Sequence, residues 1–376
     1  MLGKILKLDW ILIVATLLLL GVGLLALYSI SISGKNIDGG EMTFFQKQMI
    51  AFIIGIVIMF VFSLTDYHYF KSHSKIIYFL MIIVLLLVLV KGSLVRGTTG
   101  WISIGFFNFQ PVELAKILLI VSLASFITKS KAMLSEFSRL VASFAITGVV
   151  IFLVLLQPDF GSALVLMAIL IAMLLLSGIE WKYLASMFFL GVLSLIVIWF
   201  LLADYQKNRI INFVNPENDP RGSGYNVIQS MIAVGSGGIT GKGLGHGSQS
   251  QLNFLPENHT DFIFAVIVEE FGVFGAGVVV VLISIIFYRF KKIAELAMDN
   301  FGYLIVTGSM AMFFTQTVVN IGMNIGVMPV TGIPLIFLSY GGSSLISAFI
   351  VIGIANNIFL VGRRNLETRI QVGDNF

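Results

Sequence analysis

The 376-residue sequence contains no cysteine, which excludes disulfides, thiolate metal sites and cysteine nucleophiles together. Charge is scarce as well. Only 11% of residues are charged and 58% are hydrophobic, whereas a soluble domain carries about 25% charged residues. That balance defines an integral membrane protein. There is no internal repeat, no low-complexity run and no Gly-x-Ser-x-Gly nucleophile elbow, so a serine hydrolase built on that elbow has no support. The net charge of +4 sits in short basic loops and gives no case for nucleic acid as a partner. Nothing marks a second domain, and residues 1–376 read as a single membrane-embedded unit.

What the chain does have is long apolar runs. Crossing a bilayer takes roughly 17–25 apolar residues, and ten segments qualify: 10–32, 47–65, 75–92, 111–128, 139–157, 160–178, 182–203, 262–288, 302–325 and 334–361. The first follows Lys4 and Lys7 in the manner of a signal peptide. No small-residue cleavage site follows it and many spans do, so it reads as a retained helix. Lys71, Lys75, Lys129, Lys131, Arg139, Lys182, Arg289, Lys291 and Lys292 fall in alternate connections. Together with Lys4, Lys7, Arg363, Arg364 and Arg369 they place both termini in the cytoplasm. The expected fold is an all-α polytopic membrane protein of about ten transmembrane helices. A large extracytoplasmic loop, 204–261, separates the seventh helix from the eighth. It carries apolar and aromatic residues such as Phe213, Tyr225, Met231 and Phe254, too many for disorder, and YNVIQSMIAV (225–234) predicts a short interfacial helix.

The same loop contains GSGGITGKGLGHG (235–247), which invites a phosphate-binding reading. The P-loop template wants glycine where Ser236 stands and Ser or Thr where Gly243 stands, so it fails twice. Two readings stay open, a flexible turn and a ligand cradle in which Lys242 meets a phosphate. His246 and His259 lack metal-ligand spacing. Asn258-His259-Thr260 reads as a helix start, with Asn258 or Thr260 capping the eighth span.

Ionisable residues in or beside spans are the stronger signal, because a carboxylate there is costly. Asp261, in PENHTDFIFA, is either an interfacial residue that ends a helix or a general base beside a lipid-borne substrate. Glu113 and Lys116, in QPVELAK, share a helix face, either as a structural pair or as a substrate contact. Asp159 caps the sixth helix or joins an outer site, and Glu269 and Glu270 lie deep enough to need partners. Arg96, Arg209, Arg221 and Lys242 fall on the outer side, against the positive-inside trend. Beside Asp159 and Asp261 they outline an outer cleft for an anionic substrate.

At this point the sequence resembles the SEDS proteins (shape, elongation, division and sporulation) of the RodA/FtsW type, which polymerise lipid-linked peptidoglycan precursors. The likeness spans nearly the whole chain and rests on separate blocks: RGTTGWISIG with FQPVELAK (96–116), QPDFGSAL (157–164), residues 215–272, NIGMNIGVMPVTGIPL (320–335) and SYGGSS (339–344). Two positions depart from the family pattern. Val112 stands where Ser is common, and Ile336 where Pro is usual. The resemblance implies ten helices and inverting glycosyl transfer from lipid II, forming β-1,4 bonds with release of undecaprenyl pyrophosphate. It implies Asp261 as general base, its pKa raised by partial desolvation. Arg96, Lys116, Arg209, Arg221 and Lys242 become candidates for the pyrophosphate, with Glu113, Asp159 and Glu269 as supporting charge. A divalent cation, Mg or Mn, would take Asp159 and Asp261 as candidate ligands.

The implied partners are lipid II, the lipid-linked nascent glycan, membrane lipids and a class B penicillin-binding protein. The implied location is the bacterial cytoplasmic membrane with the active site outside, and the short tails look closer to the RodA member. Two other classes stay in view: a lipid II flippase, which ten spans with buried charge would also suit, and a scaffold for cell-wall enzymes.

Overall fold

The protein's structure is a computed structural model that describes residues 5–32, 42–95, 98–104, 107–183, 223–252 and 254–373, with residues 185–186, 189, 191, 200 and 207 between them. Apolar runs become helices whose starts are marked by local chemistry. Helix α1 is Trp10–Ile32. Helix α2, Phe44–Leu64, opens on a capping box in which Thr43 and Gln46 each accept the other's backbone N–H. The short α3 (His68–Ser72) leads into α4 (Ser74–Lys91). Three strands follow, β1 Ser93–Val95, β2 Thr98–Ile104 and β3 Phe107–Phe109, in antiparallel order β1-β2-β3 with Ser93 opposite Trp101 and Ser103 opposite Asn108. Helix α5 (Pro111–Ser130) begins on a proline, whose missing N–H costs nothing at a helix start. Ser135 caps α6 (Glu136–Leu155) and Asp159 caps α7 (Phe160–Leu176). Beyond lie α8 (Ser223–Ser236), α9 (Ser248–Gln251), α10 (Ile263–Leu296), α11 (Asn300–Asn324) capped by Asp299, and α12 (Gly342–Gly373).

Eight of these, α1, α2, α4, α5, α6, α10, α11 and α12, are long and apolar enough to cross a membrane, and α7 is a shorter apolar helix. Among the described residues these nine match nine of the expected spans. The seventh, 182–203, falls largely outside the described residues, as does much of the 204–261 loop. The interfacial helix expected at 225–234 is α8.

The tenth span starts later than expected. Residues 331–341 are not helical, and α12 begins at Gly342 instead of 334. Pro334 and the left-handed Phe337 (φ 63°) keep this apolar stretch irregular, and Ser339 Oγ accepts the Leu335 N–H at 2.8 Å in place of a helical carbonyl. Hydropathy registers the apolar side chains and is blind to that backbone.

Helices α5 and α12 are almost enclosed by the others. The bundle packs α12 along α2, α11 along α7 and α5, and α10 along α1. At one end Asp9, beside the start of α1, pairs with Arg289 of α10 (2.6 Å) and accepts its Nε–H at 2.8 Å. Asn356 of α12 accepts the Asp9 backbone N–H there, so the start of α1 and the later part of α12 lie together.

Candidate active site

The residues leading into α10 form turns whose polar groups are tied on both sides. Glu257 holds φ at 52°, and its carbonyl accepts the N–H groups of Thr260, Asp261 and Phe262 at 3.1–3.3 Å. Three successive carbonyls are then taken by donors from far along the chain. Tyr340 N donates to His259 O (2.8 Å), Ser339 Oγ to Thr260 O (2.6 Å), and both Asn320 Nδ2 (3.0 Å) and Asn324 Nδ2 (2.9 Å) to Asp261 O. His259 stacks on Phe44 with ring centroids 3.9 Å apart.

This corrects the expected helix start. Neither Asn258 nor Thr260 caps α10: Asn258 Nδ2 donates to Ser250 O, and Thr260 Oγ1 to Glu257 Oε2. The turns place both too early in the chain to reach the first free amides. Asn324 of α11 does the capping across the bundle, accepting the Ala265 N–H at 2.9 Å.

The Asp261 side chain is half-buried, at the edge of a floor made by residues 331–333. Gly332 sits at φ 72°, and a Cβ built on it would lie 3.7 Å from Asp261 Oδ2. The far side of the same floor covers the start of α7, because a Cβ on Gly161 would meet Ile333 Cγ1 and Thr331 O at 2.7 and 2.8 Å. Asp159 therefore sits near Asp261 but is already engaged. Its Oδ1 accepts Ser162 N (2.9 Å), and its Oδ2 accepts Ser162 Oγ (2.8 Å) and Gln110 Nε2 (3.4 Å). Gln110 N in turn donates to Ser343 Oγ at 2.9 Å, gathering three of the sequence blocks at one place.

The remaining charges form two separate pairs. Lys116 Nζ lies 2.8 Å from Glu113 Oε1 within α5, both side chains buried. Lys242 Nζ lies 2.9 Å from Glu269 Oε1 and 2.9 Å from Ser248 Oγ. Glu269 also accepts the backbone N–H groups of Gln249 and Ser250, while Glu270 Oε1 accepts from Ser29 Oγ, Gln251 Nε2 and Gly245 N. These are the partners that the two glutamates required. Arg96, Arg209 and Arg221 lie outside the described residues.

The glycine-rich motif is tied to α10 by backbone hydrogen bonds. Helix α10 breaks at Gly272 (φ 65°, ψ −161°), so Glu269 O and Glu270 O cannot be reached by Val273 N and Phe274 N. The loop supplies all four missing partners. Lys242 N donates to Glu269 O and Gly243 N to Glu270 O, both at 3.0 Å, while Val273 N and Phe274 N donate to Gly238 O and Ile239 O. Glycine is needed on both sides of that seam: a Cβ on Gly241 would lie 2.1 Å from Glu270 O, and one on Gly272 2.4 Å from Gly241 N.

Among the described residues no three acidic or histidine side chains gather as a metal cluster. Of the two candidate cation ligands, Asp159 is engaged by Ser162 and Gln110.

The sequence reading missed Asn320 and Asn324. Two carboxamides one turn apart inside an apolar span were the available signal, because such groups need partners in a membrane.

An apolar bundle of helices long enough to cross a bilayer, with an aspartate fixed at the start of one of them, defines a polytopic membrane protein. Residues 9–362 match the cell cycle protein family of FtsW, RodA and SpoVE. The chain belongs to that family. It is 37% identical to stage V sporulation protein E of Bacillus subtilis (strain 168) over 356 residues, covering 93% of this chain and 96% of the relative. It is 38% identical to peptidoglycan glycosyltransferase MrdB of Escherichia coli (strain K12) over 351 residues, covering 91% and 92%. A solved chain from work on the coordination of polymerization and crosslinking by a peptidoglycan synthase complex superposes with a TM-score of 0.77 at 31% identity, covering 95% of this chain and 98% of that one.

Proposed function

We propose that this chain is a peptidoglycan glycosyltransferase that polymerises glycan strands from lipid II at the outer face of the bacterial cytoplasmic membrane. The observation that carries the reading is Asp261. It is a half-buried carboxylate on a backbone held from both sides, with Gly332 facing its side chain.

One displacement accounts for the chemistry. The 4-hydroxyl oxygen of the acceptor attacks the anomeric carbon of the α-linked donor, the bond to pyrophosphate breaks, and the product is β-1,4. Asp261 takes the hydroxyl proton as general base. The departing undecaprenyl pyrophosphate needs positive charge, for which Arg96, Arg209, Arg221, Lys116 and Lys242 are the candidates on this chain. A divalent cation, Mg or Mn, arriving with the pyrophosphate would offset the same charge. The apolar helices hold both lipid tails, so donor and acceptor meet at one depth.

The working assembly includes a class B penicillin-binding protein that crosslinks the strand. Kinship with a chain of a peptidoglycan synthase complex supports this. A flippase is not favoured, since relatives of this length and likeness are named as glycosyltransferases.

Purified protein with fluorescent lipid II is expected to give polymer, and Asp261→Ala to lose about a hundredfold or more in rate. Wild-type rates in that variant would remove the base assignment.

A further inference from the structure

We propose that Asn320 and Asn324 are positioning residues for Asp261, fixing its backbone so that the carboxylate faces the acceptor hydroxyl. The proposal rests on the base role given to Asp261 above.

Both carboxamides are fully buried, and they lie one turn apart on the same face of α11. A buried carboxamide is costly unless its hydrogens find acceptors. Both side chains converge on one peptide group, the carbonyl of Asp261, at 3.0 and 2.9 Å.

The other bonds of the pair tie that peptide to its surroundings. Asn320 Nδ2 also donates to Ile333 O at 2.8 Å, next to the Gly332 that faces Asp261 Oδ2. One carboxamide thus sets the distance between the acid and its floor. Asn324 Nδ2 donates to Asn320 O at 2.8 Å, and its Oδ1 accepts the Ala265 N–H at 2.9 Å. The axis of α10 is thereby fixed from the same side chain that holds Asp261. With Asp261 N on Glu257 O at 3.1 Å, the N–H and C=O of the acid are both engaged.

A general base must reach its proton to within a hydrogen bond, and a displacement of about 1 Å costs on the order of a hundredfold in rate. The effect of these asparagines should therefore appear in kcat. A purely structural staple between α10 and α11 would alter stability and leave the protonation of Asp261 unchanged.

The test uses full-length protein in detergent with fluorescent lipid II. Asn320→Leu and Asn324→Leu remove the donors at similar volume. Asn320→Asp keeps the shape and serves if the leucine variants do not fold. The expected result is a kcat lower by about ten- to a hundredfold, a KM within about twofold of wild type, and a displaced midpoint on the acid limb of the kcat–pH profile. Wild-type kcat with an unmoved midpoint, or a raised KM at unchanged kcat, overturns the proposal.

The absence of cysteine allows a readout that does not depend on turnover. Asp261→Cys carries the only thiol in the chain, and its alkylation rate should change severalfold when Asn320→Asp is added. An unchanged alkylation rate overturns the positioning role alone, whereas wild-type turnover in Asp261→Ala overturns the base reading and the proposal with it.

Discussion

Glu113 and Lys116 are a closed pair: 2.8 Å apart within one helix, with 5% and 1% of their side chains exposed. Removing one partner leaves the other charge buried and uncompensated, at a cost of about 3–5 kcal/mol. Glu113→Gln should therefore lower the thermal unfolding midpoint strongly. The double variant Glu113→Gln/Lys116→Met should recover much of the loss. A double variant no more stable than the single one would show that the pair is not what the charges are for.

Asp299 sits outside the spans, between α10 and α11. Burial raises its carboxyl, but bonds from Gly302 N, Lys71 Nζ and the Tyr67 hydroxyl outweigh burial and hold it below its ordinary value. A carboxyl lowered in the folded state stabilises fully above its unfolded value, near 3.9. That contribution is lost as pH falls through the lowered folded value. The stability gap between wild type and Asp299→Asn should thus stay constant from neutral pH down to about pH 5. It should then close in stronger acid, as followed by thermal unfolding. A gap that widens on acidification would contradict the assignment.

Among the elements, α10 shows most clearly what hydropathy can and cannot reveal. Its apolar composition marked a span from 262, within one residue of the observed start. The break at Gly272 left no trace in that pattern, because flanking residues stay apolar and glycine is common in membrane helices. The loop that repairs the break lies some thirty residues earlier in sequence, and its glycines look like those of any turn. Asp159 was legible as a cap because its partner Ser162 is three residues away. The partners of Glu270 were not, since Ser29 stands 241 positions from it. The asparagine clamp on Asp261 was hidden for the same reason. Gly272→Ala should be among the more damaging single changes in the chain. Its φ/ψ region belongs essentially to glycine, with a strain of about 1–3 kcal/mol before any clash, and its Cβ would meet Gly241 N and Ile239 O. A large fall in folded yield and unfolding temperature is expected, and a wild-type melting curve would refute the account.

Across the molecule, the sequence reading and the structure agree on a helical membrane bundle, and both set Asp261 where a long apolar helix begins. The inner arrangement came only from the structure, because periodicity is weak when lipid-facing and core-facing side chains are equally apolar. The break in α10 divides a part that is wholly enclosed, Ile263–Glu270, from a part with Val273, Phe274, Val278, Val280 and Val281 exposed. These two parts answer to different surroundings. Four hydrogen bonds with residues 238–243 cross the break, so the bend at Gly272 is a mitred corner and not a hinge: the enclosed part that starts beside Asp261 and the exposed part are locked at one angle.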